Sequence, residues 1–508
     1  MTQALRLDGA RCADLAERFG TPLFVYDADV LTESFRELRE ALPSAMEILY
    51  SLKANPNVSV VGVLAAAGAR AEVCSRAELR TAILAGIAPG DIVFLGPSKS
   101  TADLAACLDS AIYAIVAESF DELGELDLLS MRRRARPRVL LRVNPRRGTT
   151  GAALSMGGKP RQFGIDEEQL LRAGCLPERY PHLDLCGVHV YLGTRILDAA
   201  VFVENVRANL ELAERIAAAT DIRLAAVDVG GGLGVAYFTG ESDPEMSTVR
   251  AELDPVVTAF RGRHPRAHLL CESGRFLAAR AGEYVVRVSS VKDSMGQRFA
   301  TTDGGTHHHQ AAAGIGSFVP RNFPVRLLNR TPAGPVTRWQ VTGSLCTPHD
   351  TLARNVDLPD LRVGDLIGFG RSGAYAASAS PGHFLGHGFA AEVLLHQGRG
   401  HLVRRRDLPH DLLRGQHYHH VRTDPMERAQ ALEHIRVAVE KVTRRDIPTL
   451  TDDTPLPALG LDSTGMLELL MELEELATFV VDPDDLQPEI FLTVGTLCDY
   501  LTRMATVS

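Results

Sequence analysis

The sequence predicts an α/β protein in which a (β/α)8 TIM barrel is followed by a mainly β domain, a sandwich or barrel, and by a small α-helical bundle. Between residues 34 and 282, short β-rich runs such as 92–95, 114–117 and 139–143 alternate with helical stretches, as in βα units around parallel strands. After residue 282, β-rich runs are separated by turns that contain Gly and Pro. Near the C-terminus, apolar residues recur at helical spacing.

The barrel is favoured because more than six strands fall within about 250 residues, although spacing alone leaves an open doubly wound sheet as an alternative. A chain of 508 residues exceeds what one hydrophobic core organises, so several domains are expected. We predict that residues 1–33 contribute to the β domain, 34–282 form the barrel, 283–413 form the β domain, 414–424 are a linker and 425–508 form the helical domain.

Composition excludes several classes of protein. No apolar run is long enough to span a bilayer, which argues against a membrane protein. The net charge is −9, and residues 425–508 hold 16 acidic against 6 basic residues, a difference of −10, so a nucleic-acid partner is disfavoured. The eight cysteines are scattered without a CxxC pair, and the N-terminus lacks the pattern of an export signal, so we expect a cytoplasmic protein with reduced thiols.

Lys53 is the first candidate catalytic residue, in the segment 50–57 (YSLKANPN). It ends a short apolar run, the position from which barrel strands present catalytic groups, and a desolvated lysine amine can form a Schiff base. The alternative is an ordinary surface lysine.

Two further motifs follow predicted strands. Residues 228–234 (DVGGGLG) have backbone N–H groups that can converge on a phosphate, although a plain tight turn is the alternative; a dinucleotide site is disfavoured because no strand ending in an acidic residue follows. Residues 271–275 (CESGR) offer Glu272 for a pyridinium N–H and Arg275 for a phosphate, and their alternative is a surface ion pair.

In order and spacing, these motifs resemble the fold-type III decarboxylases that use pyridoxal 5'-phosphate (PLP), the family of diaminopimelate, ornithine and arginine decarboxylases. The resemblance runs from Gly20 to about Leu413 and includes the segments 72–75 (EVCS), 96–99 (GPSK), 163–165 (FGI) and 373–375 (GAY). It implies the barrel and β-domain fold. It also implies that Lys53 carries PLP, that Glu272 pairs with the ring nitrogen, and that the phosphate is surrounded by Gly231, Gly232, Gly274, Arg275 and Tyr375.

The segment 189–194 (HVYLGT) resembles the strand from which relatives stack a histidine on the cofactor ring. Tyr191 occupies that position here, and a phenol still covers a ring face. Thr194 ends the same segment and is a further candidate cofactor contact.

Residues 343–350 (GSLCTPHD) resemble the family loop that reaches into the neighbouring subunit's site, which implies a homodimer with shared active sites. Cys346 would be the proton donor, and Thr347 and Asp350 would face the substrate; without the family, Cys346 would be interpreted as a buried apolar residue. Thr347 stands where relatives that act on basic amino acids carry an acidic residue, so a distal ammonium would lack its counter-ion.

Three consecutive histidines, His307, His308 and His309, follow the segment 303–306 (DGGT), in place of the usual substrate-contacting residues. On an extended strand they would point to alternating faces, and no other ligand set accompanies them. We therefore predict no metal site.

The helical domain closely resembles acyl- and peptidyl-carrier proteins over residues 427–500. Ser463 follows Asp462 at the start of a helix with one apolar stripe, and the resemblance implies attachment of 4'-phosphopantetheine to Ser463 next to an acidic recognition surface. The alternative is that both residues only cap the helix.

The resemblances predict decarboxylation of an amino acid in secondary-metabolite biosynthesis. A substrate tethered to Ser463 needs its α-amino and α-carboxylate groups free, so we expect a thioester through the side-chain carboxylate, with a phosphopantetheinyl transferase and a loading enzyme as partners. The alternatives are decarboxylation of a free amino acid with the carrier used later, racemisation, and a non-catalytic PLP-binding or scaffold protein.

Overall fold

The computed structural model describes residues 9–148, 154–155, 158, 160–313, 321–331, 335–417, 426–447, 449–477 and 487–507. The chain divides into two compact units, Met1–Leu412 and Leu413–Ser508, and each is described by itself. Strands and helices are numbered along the chain.

Eight parallel strands of the first unit close into a barrel, which confirms the predicted fold class. Neighbours around the barrel follow chain order, and the last strand pairs with the first. The strands are β2 (Met46–Ser51), β3 (Arg70–Val73), β4 (Ile92–Phe94), β5 (Ala114–Ala117), β6 (Arg138–Asn144), β9 (Asp184–His189), β11 (Ala226–Asp228) and β12 (His268–Ser273). Three short strands lie beside them, β7 (Leu154–Ser155), β8 (Ile165–Asp166) and β10 (Gly193–Thr194).

The barrel strands are buried along almost their whole length, because helices cover their outer faces. These helices are α2 (Ala28–Ala41), α3 (Val58–Ala67), α4 (Arg76–Leu84), α5 (Thr101–Ser110), α6 (Phe120–Arg133), α7 (Glu167–Leu171), α8 (Leu176–Arg179), α9 (Ala199–Thr220), α10 (Met246–Arg263) and α11 (Arg275–Ala278). Several begin where the sequence supplies a side chain that accepts a hydrogen bond from first-turn N–H groups, as Ser100 does for α5 and Ser119 for α6.

The β domain is a nine-stranded sheet that also takes in a strand from the beginning of the chain. β1 (Leu23–Asp27) lies antiparallel to β13 (Gly282–Ser294) and parallel to β19 (Ala391–His396). The remaining strands are β14 (Gln297–Thr302), β15 (Val325–Leu327), β16 (Val336–Thr342), β17 (Thr351–Pro359), β18 (Leu366–Gly370) and β20 (Arg399–Arg404). Helices α1 (Gly9–Phe19) and α12 (Pro409–Leu413) flank this sheet in the sequence.

The second unit has its own core, and its described residues from 426 onward form three helices, α13 (Arg428–Thr443), α14 (Ser463–Ala477) and α15 (Val494–Val507), with 3-10 turns at Leu456–Leu459 and Pro488–Phe491. Fully buried apolar side chains from all three helices meet in this core, among them Ile435, Leu473 and Leu497. In the described part of the whole chain, no helix has both the length and the apolar character that crossing a bilayer requires.

Candidate active site

Lys53 lies in the 3-10 turn Leu52–Ala54 that follows β2, at the carboxyl end of the barrel strands. Its Nζ is 3.1 Å from Oε1 and 3.0 Å from Oε2 of Glu72, a fully buried residue on β3. Burial disfavours the charged amine, but the carboxylates of Glu72 and Glu272 outweigh it and raise the pKa of Lys53 well above its ordinary value. The amine is therefore held as an ammonium between two carboxylates.

Glu272 lies on β12, the strand that pairs with β2, with Glu272 opposite Leu49. Lys53 and Glu272 are thus at the same end of the barrel. His189, at the end of β9, places its Nε2 2.8 Å from Glu272 Oε1. Burial would raise the pKa of Glu272, but Lys53 and His189 together lower it to about 2, so this buried carboxylate stays ionised.

The predicted phosphate glycines lie where backbones approach too closely for a side chain. A Cβ on Gly231 would lie 1.8 Å from the carbonyl oxygen of Glu272, and a Cβ on Gly274 would lie 2.9 Å from the Cβ of Ala54. Gly232 also has φ +102°, which disfavours any other residue. These turns leave a cradle of backbone atoms at the ends of β11 and β12.

Arg275 begins α11 directly after this cradle. Its Nη1 donates to the hydroxyl of Tyr237 at 3.0 Å, and its guanidinium lies 4.5 Å from the ring centre of Tyr375. The buried Nε of Arg275 has no hydrogen-bond partner among the described residues. Tyr375 comes from the β domain, and its backbone N–H donates to the carbonyl oxygen of Ala54, next to Lys53, at 2.8 Å.

Tyr191 faces the lysine, with Lys53 Nζ 5.6 Å from its ring centre. Burial raises the pKa of Tyr191, and a hydrogen bond with the side chain of Thr194 acts in the opposite direction. The structure therefore brings together the Lys53 amine, the Tyr191 ring and the Glu272 carboxylate.

A buried ion pair connects two of the predicted family segments. Arg142 Nη1 on β6 is 2.7 Å from Oε1 of Glu118, which follows β5. The same carboxylate accepts backbone N–H bonds from Gly96 at 3.0 Å and from Gly164 at 3.2 Å. Four residues of the site were not predicted from the sequence: Glu118, Arg142, His189 and Tyr237. The available signal was that Glu118, like Glu272, comes at the end of a predicted strand.

The loop with Cys346 has its own contacts within one chain, separate from the hydrogen bonds described for Lys53. Cys346 is exposed, and in the described part of the structure it makes no hydrogen bond to Lys53, Glu272 or Arg275. Asp350 is buried and accepts from the backbone N–H groups of Thr306 at 2.7 Å and Leu345 at 2.8 Å, so within this chain it fixes the loop. The substrate contacts of Thr347 and Asp350 remain predictions.

The three histidines form a turn, with the His308 N–H donating to the Gly305 carbonyl, and the expected extended strand is wrong. All three are buried. His308 bonds Tyr284 and the Gly388 carbonyl, and His309 bonds Ser372. Burial lowers the pKa of His307 to about 4 and those of His308 and His309 to about 3, so these side chains are neutral and belong to the packed core of the β domain.

Ser463 is the first residue of α14, and its side chain lies outside the described part of the structure. Asp462 Oδ1 accepts from the backbone N–H groups of Thr464 and Gly465 at 3.1 and 2.8 Å, so Asp462 caps this helix. Capping by Asp462 is compatible with a modified Ser463, since the cap uses only the aspartate side chain.

The site at the barrel mouth fits PLP. It combines an amine that can form a Schiff base, an ionised buried carboxylate for the ring nitrogen, and glycine turns at Gly231 and Gly274 where neighbouring protein atoms leave no room for a side chain. The buried Arg275 Nε without a described partner adds a donor suited to a phosphate. Such a set at the carboxyl ends of barrel strands defines a barrel enzyme that uses a phosphorylated aldehyde cofactor.

Comparison with known proteins agrees with this class. Residues 28–279 match the pyridoxal-binding domain of the pyridoxal-dependent decarboxylases, and residues 433–501 match the phosphopantetheine attachment site. The chain is 35% identical over 413 residues to the L-glutamyl-[BtrI acyl-carrier protein] decarboxylase of Niallia circulans, covering 80% of this chain and 96% of that protein. It is 30% identical to the diaminopimelate decarboxylase of Methanothermobacter thermautotrophicus, covering 81% and 95%.

A solved relative has the same fold: the diaminopimelate decarboxylase of Helicobacter pylori, complexed with L-lysine, aligns with a TM-score of 0.71 at 27% identity over 79% of this chain and 98% of that chain. The chain belongs to the pyridoxal-dependent decarboxylases and carries a C-terminal phosphopantetheine attachment domain. The predicted family and the two predicted cofactors, PLP and 4'-phosphopantetheine, are confirmed.

Proposed function

We propose that the protein decarboxylates an amino acid held as a side-chain thioester on the phosphopantetheine arm of its own Ser463. The observation that carries the proposal is the presence, in one chain, of the Lys53 site and the attachment domain. The relative from Niallia circulans is named for a glutamyl group carried on an acyl-carrier protein. A glutamyl thioester leaves free both the α-amino group, which must react, and the α-carboxylate, which must leave.

PLP, when bound, withdraws the electron pair that remains at Cα as the carboxylate departs as CO2. In our proposal Lys53 binds the cofactor aldehyde, and Glu272 accepts a hydrogen bond from the ring nitrogen and keeps it protonated. Arg275, Tyr375, Thr194 and the turns at Gly231, Gly232 and Gly274 would hold the phosphate. Tyr191, whose ring centre is 5.6 Å from Lys53 Nζ, would cover one face of the ring.

Cys346 is proposed to act in the site of a second copy, which implies a homodimer with shared sites. Its exposure in a single chain supports this assignment. The Cys346 thiol gives its proton to Cα after CO2 has left, and the thiolate regains a proton from water. Thr347 and Asp350 complete the substrate end, where the neutral Thr347 suits an uncharged thioester.

The partners follow from the attachment chemistry. A phosphopantetheinyl transferase modifies Ser463, and a loading enzyme forms the thioester. We propose that these reactions take place in the cytoplasm, where the scattered free cysteines would stay reduced.

The proposal is tested by loading the holo-protein with a glutamyl group and following the intact mass of the arm together with CO2 release. The wild type should lose CO2 from the tethered group, and Ser463→Ala should not be loaded or turned over. Thr464→Ala changes the neighbouring hydroxyl and is the matched control, expected to behave as the wild type.

Lys53→Ala separates the chemistry from the loading, since it should accept the glutamyl group and retain its full mass. Free glutamate decarboxylated at the same rate by the wild type and by Ser463→Ala would contradict the tethered substrate. Normal turnover by Lys53→Ala in the presence of PLP would contradict the whole scheme.

A further inference from the structure

Three buried side chains of neighbouring strands meet beneath the proposed cofactor site. His189, Asp228 and Glu272 each offer a ligand atom within 4.8 Å of the others, and all are at most 3% exposed. The parallel register explains the cluster, because Asp228 on β11 lies opposite His189 on β9, and β12 is its other neighbour. The proposed function uses only Glu272 of the three.

The hydrogen bonds fix where the proton of the His189 ring lies. The ionised Glu272 carboxylate can only accept, so the Nε2 of His189, 2.8 Å from Oε1, must carry a hydrogen and donate it. The Nδ1 of His189 is buried and has no hydrogen-bond partner among the described residues. The imidazole therefore directs its donor toward Glu272.

Asp228 carries the proton that the two adjacent acids share. Its Oδ1 accepts the backbone N–H of Gly230 at 2.9 Å, while its buried Oδ2 has no hydrogen-bond partner in the described structure. Burial and the negative charge of Glu272 raise the pKa of Asp228 well above its ordinary value. Asp228 is thus neutral, and Glu272 keeps the negative charge.

We propose that His189 is a positioning residue, whose Nε2–H holds one oxygen of Glu272 so that the other is aimed at the ring nitrogen of PLP and keeps that nitrogen protonated. This inference rests on the proposed role of Glu272. The His189 imidazole touches neither substrate nor the reacting carbon; it acts through the carboxylate, as groups around a ligating side chain commonly do.

The same three side chains also form a possible set of metal ligands. We favour a proton shared between the acids over a bound cation, because the Lys53 ammonium already provides positive charge near both Asp228 and Glu272. A metal would also occupy the Glu272 oxygen that the ring nitrogen needs.

The test compares His189→Gln with His189→Asn and His189→Leu. The Gln amide nitrogen reaches close to the position of Nε2 and keeps the donor, the Asn amide is too short, and Leu has no donor. We expect Asn and Leu to weaken PLP binding on the order of 10- to 100-fold and Gln to restore most of the loss. With 15N-labelled cofactor, the ring-nitrogen shift should report a protonated nitrogen in the wild type and Gln variant and partial loss of the proton in Asn and Leu.

His264→Leu is the matched control, because it removes a similar pair, His264 Nε2 to Glu214 Oε1 at 2.9 Å, away from the site. Unchanged PLP affinity and an unchanged 15N shift in folded His189→Asn and His189→Leu would overturn the inference. So would a stoichiometric metal in the wild type that is lost in His189→Leu. Lys53→Ala is measured in parallel, so that loss of covalent PLP there tests the role of Lys53 in the proposed function separately from the His189 inference.

Discussion

Lys53 is kept protonated by two buried acids, Glu72 and Glu272. A Schiff base forms only from the neutral amine, so the protein holds its nucleophile in the unreactive state until the cofactor arrives. Glu72 has a second neighbour, the thiol of Cys74, whose Sγ donates to Oε1 at 3.1 Å. The Lys53 amine and the Cys74 thiol therefore both donate hydrogen bonds to the same Glu72 carboxylate.

At this scale we predict that Glu72→Gln shifts PLP attachment to lower pH. Removing the Glu72 carboxylate, the stronger of the two negative charges that stabilise the ammonium, lowers the pKa of Lys53, so the neutral amine is present at lower pH. The measurement is the rate at which the visible absorbance of bound PLP develops after PLP is added to apo-protein, from pH 6 to 10. Glu47→Gln, on the neighbouring strand β2 and paired with Arg70, should leave the profile unchanged. An identical profile for Glu72→Gln would show that Glu72 does not control the amine.

Sequence patterns located several barrel strands to within one residue. The runs 92–95, 114–117 and 139–143 correspond to β4, β5 and β6. β3 was not predicted as a strand because Arg70 and Glu72 interrupt its apolar pattern, although its residues are mostly buried. The histidine turn was missed for a similar reason: its geometry depends on Gly305 packing against Asp350, 45 residues further along the chain, which local periodicity does not report.

The same limit applies to the site. Lys53, Glu272 and Arg275 were found because each follows a strand or a glycine turn in a recognisable motif. His189 and Glu118 were not, because their roles arise from pairs separated by 83 and 24 residues, which only the barrel register brings together.

The histidine turn gives the β domain a stability that depends on pH. The three pKa values are lowered from 6.5, so the unfolded chain takes up protons first as the pH falls. The contribution of these neutral histidines to the free energy of unfolding is complete above pH 6.5. It is lost as the pH falls from about 6.5 to about 3, at up to about 1.4 kcal/mol per pH unit for each buried histidine.

We therefore predict that the free energy of unfolding of the β domain falls between pH 6.5 and 5, and that His309→Phe reduces this slope. Ser372 keeps a partner in that variant, since its hydroxyl also donates to the Phe369 carbonyl at 2.7 Å. The single tryptophan, Trp339, is buried in β16 and reports the transition in urea. His401→Gln, an exposed histidine of the same domain, is the control. Equal slopes for the wild type and His309→Phe would contradict the assignment.

On the scale of the whole molecule, the chain consists of two units with separate cores, 1–412 and 413–508. A substrate attached to one unit and processed by the other is present at an effective concentration set by the connection, typically millimolar for a short flexible one.

This arrangement predicts the outcome of mixing two inactive variants. Lys53→Ala provides a loaded arm without chemistry, and Ser463→Ala provides chemistry without an arm. At low micromolar protein, and before the two homodimers exchange subunits, the mixture should turn over at least about tenfold more slowly than the wild type, because the arm must then meet the site of another dimer in solution. Its specific rate should rise with concentration, whereas that of the wild type should not. Equal and concentration-independent rates would show that the linkage gives no advantage.

The position of β1 has a consequence for synthesis on the ribosome. This all-buried strand lies between β13 and β19, so its two partners are translated more than 250 and 360 residues later. During that interval the apolar segment Leu23–Asp27 has neither neighbour of its final sheet, and a waiting strand of this kind can associate with other nascent chains. The barrel helices and strands are made in between, so the order of translation leaves the β domain to close after the barrel, around a strand that was made before it.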